Sequence, residues 1–268
     1  MPISVKYTNH FNLKFPNASN TGTSGTLTDY TGSTTFSTAN ATIQDKNIVN
    51  DGISVTANNV TFQNCKIVYN GPFDTGVAMV FLAVGVTGTR FINCEIDCAD
   101  AVERAIKGFD DVYVEKCNIH DSGNGVEVAS SVTVIDSYLW NIFTPDGATW
   151  HADGVQTGEG AVSNTTIQHN TILLPGGETG AINVIDNSAT FTYNNILIDN
   201  NLLAGGSYTF YFGAGTMTNC RATNNHFSTR YATRVGQFQA WYPNFLGDFT
   251  ATGNVIDETG VSANDNSW

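Results

Sequence analysis

The chain has 268 residues and a formal charge of −13, and only 13% of its residues are charged, about half the usual share. So acidic a surface repels phosphate backbones and argues against a nucleic-acid partner, and no run approaches the roughly 18 apolar residues of a membrane span. Hydrophobic residues at 41% supply a core, while heavy use of Asn, Thr and Gly suits strands and tight turns better than helices.

The opening stretch, MPISVKYTNHFNLKFPN, lacks the apolar segment and small-residue cleavage site of a secretory leader. The chain as numbered is therefore expected in a virion, or in a cytoplasm until lysis, and secreted only if a leader has been removed. Residues 1–41 are expected to cap the first coil of the repeat array that begins at Thr42.

From Thr42 a pattern recurs: TIQDKNI, VTFQNCKI, TRFINCEI, VYVEKCNI, VTVIDSYL, TTIQHNTI, ILIDNNLL, RATNNHF and FTATGNVI. Its closing apolar residues are Ile48, Ile67, Ile96, Ile119, Leu139, Ile172, Leu202, Phe227 and Ile256, spaced by about 26 residues, the size of one solenoid coil of short strands. Two positions earlier stand Cys65, Cys94, Cys117, Ser137, Asn170, Asn200, Asn225 and Asn254. In coils stacked about 4.8 Å apart, an asparagine column hydrogen-bonds along itself, and cysteines fill the same inward column as small hydrophobes. The cysteines lack the paired spacing and histidines of a zinc site. All five are expected as buried thiols without a disulfide framework, and no metal site is expected.

A second alignment runs through RAIKG, NGVEV, DGVQT and GAINV. It places Ile106, Val126, Val155 and Ile182 inward, so that Lys107, Glu127, Gln156 and Asn183 point outward, one above the next. This ladder predicts the floor of a groove. The stretch TPDGATWHADGVQTGEG, preceded by Trp140, is expected to rise beside it. Lys107 with Glu127 suits an acid/base or base/cation pair, Asp153 a second carboxylate, and His151 a proton carrier. Two carboxylates on neighbouring coils meet the spacing of glycoside hydrolysis, and a lysine of lowered pKa serves β-elimination. Trp140, Trp150, Gln156 and Asn183 are the candidate ligand-binding residues, with Trp150 either a sugar platform or a loop anchor. Plainer readings stand beside these: an ordinary Lys107–Glu127 ion pair, an Asp153-Gly154 turn using glycine's freedom at positive φ, and a turn histidine at 151. His120, His169 and His226 read as structural. Calcium is left open at Asp121, Asp136 or Asp153, although no motif supports it and no cofactor is expected. The aromatic stretches SYTFYFGAG to QFQAWYPNFLGDF are expected to close the far end.

The repeats resemble the right-handed parallel β-helix of the pectin-lyase-like superfamily over Thr42 to Asp257. More narrowly, FPNASNTGTSGTLTDYTG with VTFQNCKI and HADGVQ resembles a group of HADG-containing β-helix proteins of actinobacteria and their phages. The resemblance implies an all-β, single-stranded right-handed parallel β-helix of about nine coils. It divides into an N-terminal cap (1–41), the β-helix (42–257) and a C-terminal tail (258–268). The clustered calcium-binding aspartates and arginine base motif of pectate lyases are missing, as is the paired-aspartate signature of polygalacturonases. The resemblance implies two functions. The first is a virion-associated structural protein of decoration, fibre or tail type, whose partners are other virion proteins or further copies of itself and a cell-surface glycan. The alternative is a polysaccharide lyase or glycoside hydrolase acting through Lys107, Glu127, His151 and Asp153.

Overall fold

The computed structural model describes residues 15–145, 149–158, 160–176, 179–184, 191–212, 215–242 and 249–268, the side chains of Asp74 and Thr75 apart. Among these, every regular element is a β-strand. The chain winds through three sheets in a fixed order. One turn takes Asn118–Ser122 in sheet A, Asn124–Val128 in sheet B and Val132–Ile135 in sheet C, before Tyr138–Ile142 returns to sheet A beside the first. Among the described residues sheet A has ten strands and sheets B and C nine each, and adjacent coils pair in parallel. This is the expected right-handed parallel β-helix, a hand favoured wherever parallel strands are joined by crossovers. Nine coils at about 4.8 Å make a rod about 40 Å long.

The core is three inward columns. In sheet B, Ile106, Val126, Val155 and Ile182 stack in register as read, continuing to Phe210 and Trp241. In sheet C, Phe62 and Phe91 stack with their rings 5.2 Å apart. In sheet A the column is Ile48, Ile67, Ile96, Ile119, Leu139, Ile172, Leu203, Phe227 and Ile256. Leu203, not Leu202, holds the seventh place.

The same correction moves the asparagine column from Asn200 to Asn201. The residue before each rung turns the corner in the left-handed region: His169 (φ 52°), Asn200 (φ 53°) and Asn224 (φ 54°). In DNNLL the first asparagine takes that corner, a conformation asparagine tolerates, and the second faces inward. Asn201 Oδ1 accepts from the N–H and Nδ2 of Asn170 (2.9 and 3.0 Å), while its own Nδ2 donates to Ile167 O at 2.8 Å. Asn225 and Asn254 repeat the arrangement. In the early coils Cys65, Cys94 and Cys117 replace asparagine, each thiol donating to a carbonyl of the preceding coil (3.3–3.4 Å). All five cysteines are buried and free, and burial pushes the Cys94 thiol well above its usual range.

Among the described residues strand pairing begins at Thr28, so residues 28–41 already belong to the first coil. Residues 15–27 run lengthwise along the outside of the rod. Phe15 is buried beside the rings of His169 and His226, at 6.0 and 5.1 Å. Further down, the Gly22 N–H donates to Lys116 O, and Ser24 exchanges two hydrogen bonds with the Asn64 amide. The segment is a strap along the coils. Residues 1–14 of the expected cap lie outside the described residues. At the far end Phe210, Phe227 and Phe249 pack around the fully buried Trp241; residues 213–214 and 243–248 of the aromatic stretches lie outside the described residues.

Candidate functional site

The outward column of sheet B places Lys107, Glu127, Gln156 and Asn183 on successive coils, in the predicted register. It continues to Phe81 on one side and Tyr211 on the other. Regular alternation would put Asn124 and Glu127 on opposite faces. Gly125 removes that conflict: a Cβ there would lie 2.8 Å from Leu139 in the core. Gly125 and Val126 thus both face inward, and the flanking side chains share the outer face.

Glu127 is the hub of that face. Its Oε1 accepts from Lys107 Nζ (2.7 Å), and its Oε2 from Arg104 Nε (2.5 Å) and Asn124 Nδ2 (2.8 Å). Burial alone would raise its pKa, but the bonds from Lys107 and Asn124 and the Arg104 charge outweigh that and hold the carboxyl below its usual range. Arg104 also pairs with Glu103 at 2.8 Å. Asn124 carries the network to the next coil, donating to Gln156 Oε1 and accepting from the Asp153 N–H, both at 2.8 Å.

Asp153 is fully buried. Its carboxyl accepts from the Gly180 N–H (3.0 Å) and Asn183 Nδ2 (3.1 Å). Burial pushes it well above the carboxylate range, the nearby Glu127 charge adding to the rise and the two hydrogen bonds opposing it. Asp153 opens the strand Asp153–Thr157, so the expected Asp153-Gly154 turn is not formed. Gly154 is required by packing instead, since a Cβ there would lie 2.2 Å from Ile172 Cγ2.

The two tryptophans part company. Trp140 lies on sheet A beside His120, not on the sheet B face, with its Nε1 bonded to Asn118 Oδ1 at 2.9 Å. Trp150 is 4% exposed and stacks on Phe73 at 5.4 Å. It anchors its loop and offers no platform to a sugar. His151 is exposed and hydrogen-bonds to none of the described residues. Asp146 to Ala148, within the same stretch, lie outside the described residues.

The sequence reading missed Arg104, Asn124 and the rings at the end of the column. Tyr211 and Tyr242 stack at 4.9 Å, and Tyr208 meets each edge-on, at 5.3 and 5.2 Å. Phe238, 54% exposed, lies 5.4 Å from Tyr208. Burial first, then the neighbouring Tyr208 and Asp153, raises the Tyr211 hydroxyl to about 12, so it stays a donor. At the opposite end Gly52, Ser54, Gly76, Ala78 and Phe81 line an open depression of about 350 Å³. Between Lys107, Glu127 and Gln156 there is room for little more than one water.

A second ionisable cluster lies on sheet A. His120 Nδ1 is 2.6 Å from Asp121 Oδ2, and its Nε2 3.6 Å from Glu95 Oε1, which also takes Lys66 Nζ at 2.8 Å. Glu95, Asp97 and His120 bring three ligand-type atoms within 4.8 Å of one another, with Asp97 Oδ1 4.0 Å from His120 Nδ1. Burial alone would lower the imidazole, but Asp121 and Glu95 outweigh it and raise it to about 9. Its folded pKa thus exceeds the 6.5 of the free side chain. The resulting stability is fully present below pH 6.5 and lost as pH rises through about 9. The His120 hydrogen bond comes first in lowering Glu95 to about 2 from 4.5. That contribution is present above pH 4.5 and lost as pH falls through about 2. Thermal melts from pH 6 to 10 should therefore show a steeper loss for the native chain than for His120→Gln; parallel curves would refute the assignment.

A scan of protein families finds no match, and no curated protein matches the chain. Among solved structures the chain is similar to QnrB1. That protein is described as a plasmid-mediated fluoroquinolone resistance protein. Its trypsin-treated form aligns at 14% identity and a TM-score of 0.21, over 85% of this chain and 88% of QnrB1. The full-length form aligns at 13% identity and a TM-score of 0.17, over 84% and 90%.

Proposed function

We propose that this chain is a rigid, non-enzymatic attachment protein whose sheet B face binds a neutral cell-surface glycan. The observation that carries the reading is how the two candidate catalytic carboxylates are used. Both oxygens of Glu127 are committed to Lys107, Arg104 and Asn124, and Asp153 has no exposed surface. What faces solvent is the half-buried amide of Gln156 flanked by rings, with Phe81 (40% exposed) at one end and the Tyr208–Tyr211–Tyr242 group at the other. Rings of this kind stack on the C–H faces of pyranoses, and side-chain amides bond their hydroxyls. The acidic surface disfavours anionic polysaccharides. The setting, a phage virion component of decoration, fibre or tail type, is taken from the resemblance of the repeats and the HADGVQ stretch.

The lyase or hydrolase reading keeps one supporting observation: Glu127 and Asp153 have their pKa values pushed apart, the pattern of a base and an acid. One experiment separates the two. Purified protein is screened on neutral and acidic polysaccharides, with calcium or with chelator, for binding and for new reducing or unsaturated ends. Binding without cleavage, indifferent to chelator and weakened tenfold or more by Tyr211→Ala, supports attachment. Cleavage abolished by Asp153→Asn or Glu127→Gln moves the assignment to the enzyme, and binding that ignores Tyr211→Ala removes the sheet B face from the proposal.

A further inference from the structure

The last rung of the asparagine ladder is filled by a residue that belongs to no coil. The N–H and Nδ2 of Asn254 both donate to Asn264 Oδ1, at 3.0 and 3.1 Å. These are the two bonds that Asn225 makes to Asn254 (2.9 and 2.9 Å) and Asn201 to Asn225 (3.0 and 2.9 Å). True rungs are separated by 24 to 31 residues, whereas Asn264 follows Asn254 by 10. It arrives because the chain doubles back after Ile256: the Gly260 N–H donates to Ile256 O at 2.7 Å, and Ser262 bridges Val255 in antiparallel sense. The same segment closes sheet B. Asn266 Oδ1 accepts from the Trp241 N–H (3.1 Å), its Nδ2 donates to Trp241 O (2.9 Å), and Trp241 Nε1 donates to the carbonyl of the buried Ala263 (2.8 Å). Two side-chain amides and one antiparallel bridge stand where a tenth coil would.

The other end has the matching half of the surface. Thr28–Asp29, Thr35–Phe36 and Thr42–Gln44 are the outermost strands of the three sheets. No described strand pairs with their outer sides. Thr35 turns its N–H and C=O outward, where its neighbour Ser33 alone among the described residues meets them, each bond 3.1 Å. In a stack of parallel coils the last coil's free groups complement those of the first, since each coil repeats the one before in direction and sheet order. Edges of this kind, open among the described residues, recruit further strands.

We propose that residues 257–268 are a plug that blocks end-to-end association, and that the surface beneath them accepts the first coil of a second copy. The test uses the full chain carrying Asn264→Ala and Asn266→Ala, followed by hydrogen exchange and sedimentation velocity over a wide concentration range. The amides of Trp241 and Asn254 are expected to exchange at least tenfold faster, and the variant to form dimers and longer species as concentration rises. Adding Thr35→Pro, which deletes the outward N–H of the incoming first coil, is expected to restore monomers. Unchanged exchange overturns the plug. Faster exchange with a monomer at every concentration overturns the acceptor surface, and so does association that survives Thr35→Pro.

Discussion

Asn201→Ala is expected to cost about 4 kcal/mol of folding stability. The side chain is fully buried and serves neighbours on both sides. Its removal strips the Asn170 N–H of the acceptor at 2.9 Å and the Ile167 carbonyl of the donor at 2.8 Å, and leaves a cavity that the stacked coils cannot collapse. Each stranded buried group costs about 1–3 kcal/mol, and the cavity adds to that. In a chain of this size about 4 kcal/mol lowers Tm by roughly 10 °C. The comparison is Asn219→Ala. Asn219 also bonds an asparagine on the coil before, Asn195, at 2.9 Å, but on the exposed surface, where about 1–2 kcal/mol is expected, most of it from placing alanine at φ 52°. Equal losses for the two variants, measured by chemical unfolding, would mean that burial does not set the value of the ladder.

Glu127→Ala is expected to cost about 3 kcal/mol, for an electrostatic reason. Arg104 and Lys107 have side chains only 24% and 13% exposed, and they converge on a carboxylate that is 7% exposed. Deleting the anion leaves two half-buried cations without their shared acceptor, and breaking such a group from one side costs about 3–5 kcal/mol; partial exposure favours the low end. Replacing all three charges at once, as Arg104→Met, Lys107→Met and Glu127→Leu, is expected to recover part of the loss, because neither cation is then stranded, although Glu103 loses its Arg104 partner. Because the folded pKa of Glu127 is depressed, its contribution is present above the ordinary carboxylate range and lost as pH falls through the depressed value. Melting curves at pH 7 and pH 3 for the single and triple variants check both points. A triple variant as unstable as Glu127→Ala would show that the site is held by shape alone.

The parts of this molecule legible in its sequence are those governed by local periodicity. The coil repeat could be read because one inward apolar residue recurs at one corner. The column Lys107, Glu127, Gln156 and Asn183 could be read because alternation within a strand needs no knowledge of its neighbours. Errors arose where a single backbone angle decides. Asn200 and Asn201 are indistinguishable by composition, and only the left-handed corner tells them apart. Trp140 lies close to Trp150 in sequence, yet the chain turns a corner at Asn141 (φ 52°) and leaves the two on different parts of the rod. Asp153-Gly154 has the composition of a turn, but Gly154 is there because Ile172 leaves no room for a Cβ. Arg104 and Tyr211 were missed because their significance lies across coils, in partners more than 20 residues away such as Glu127. The strap carries no repeat at all, so periodicity was silent about it.

The strap also orders events in time. Phe15 leaves the ribosome before any coil exists, while its seat is built from His169 and His226, which emerge only when the sixth and the last coils are being made. Coils add one upon another as the chain grows, and until the last of them forms this histidine seat is incomplete. Closure of the strap therefore registers that the stack has been completed, and a segment translated before the coils is secured after them.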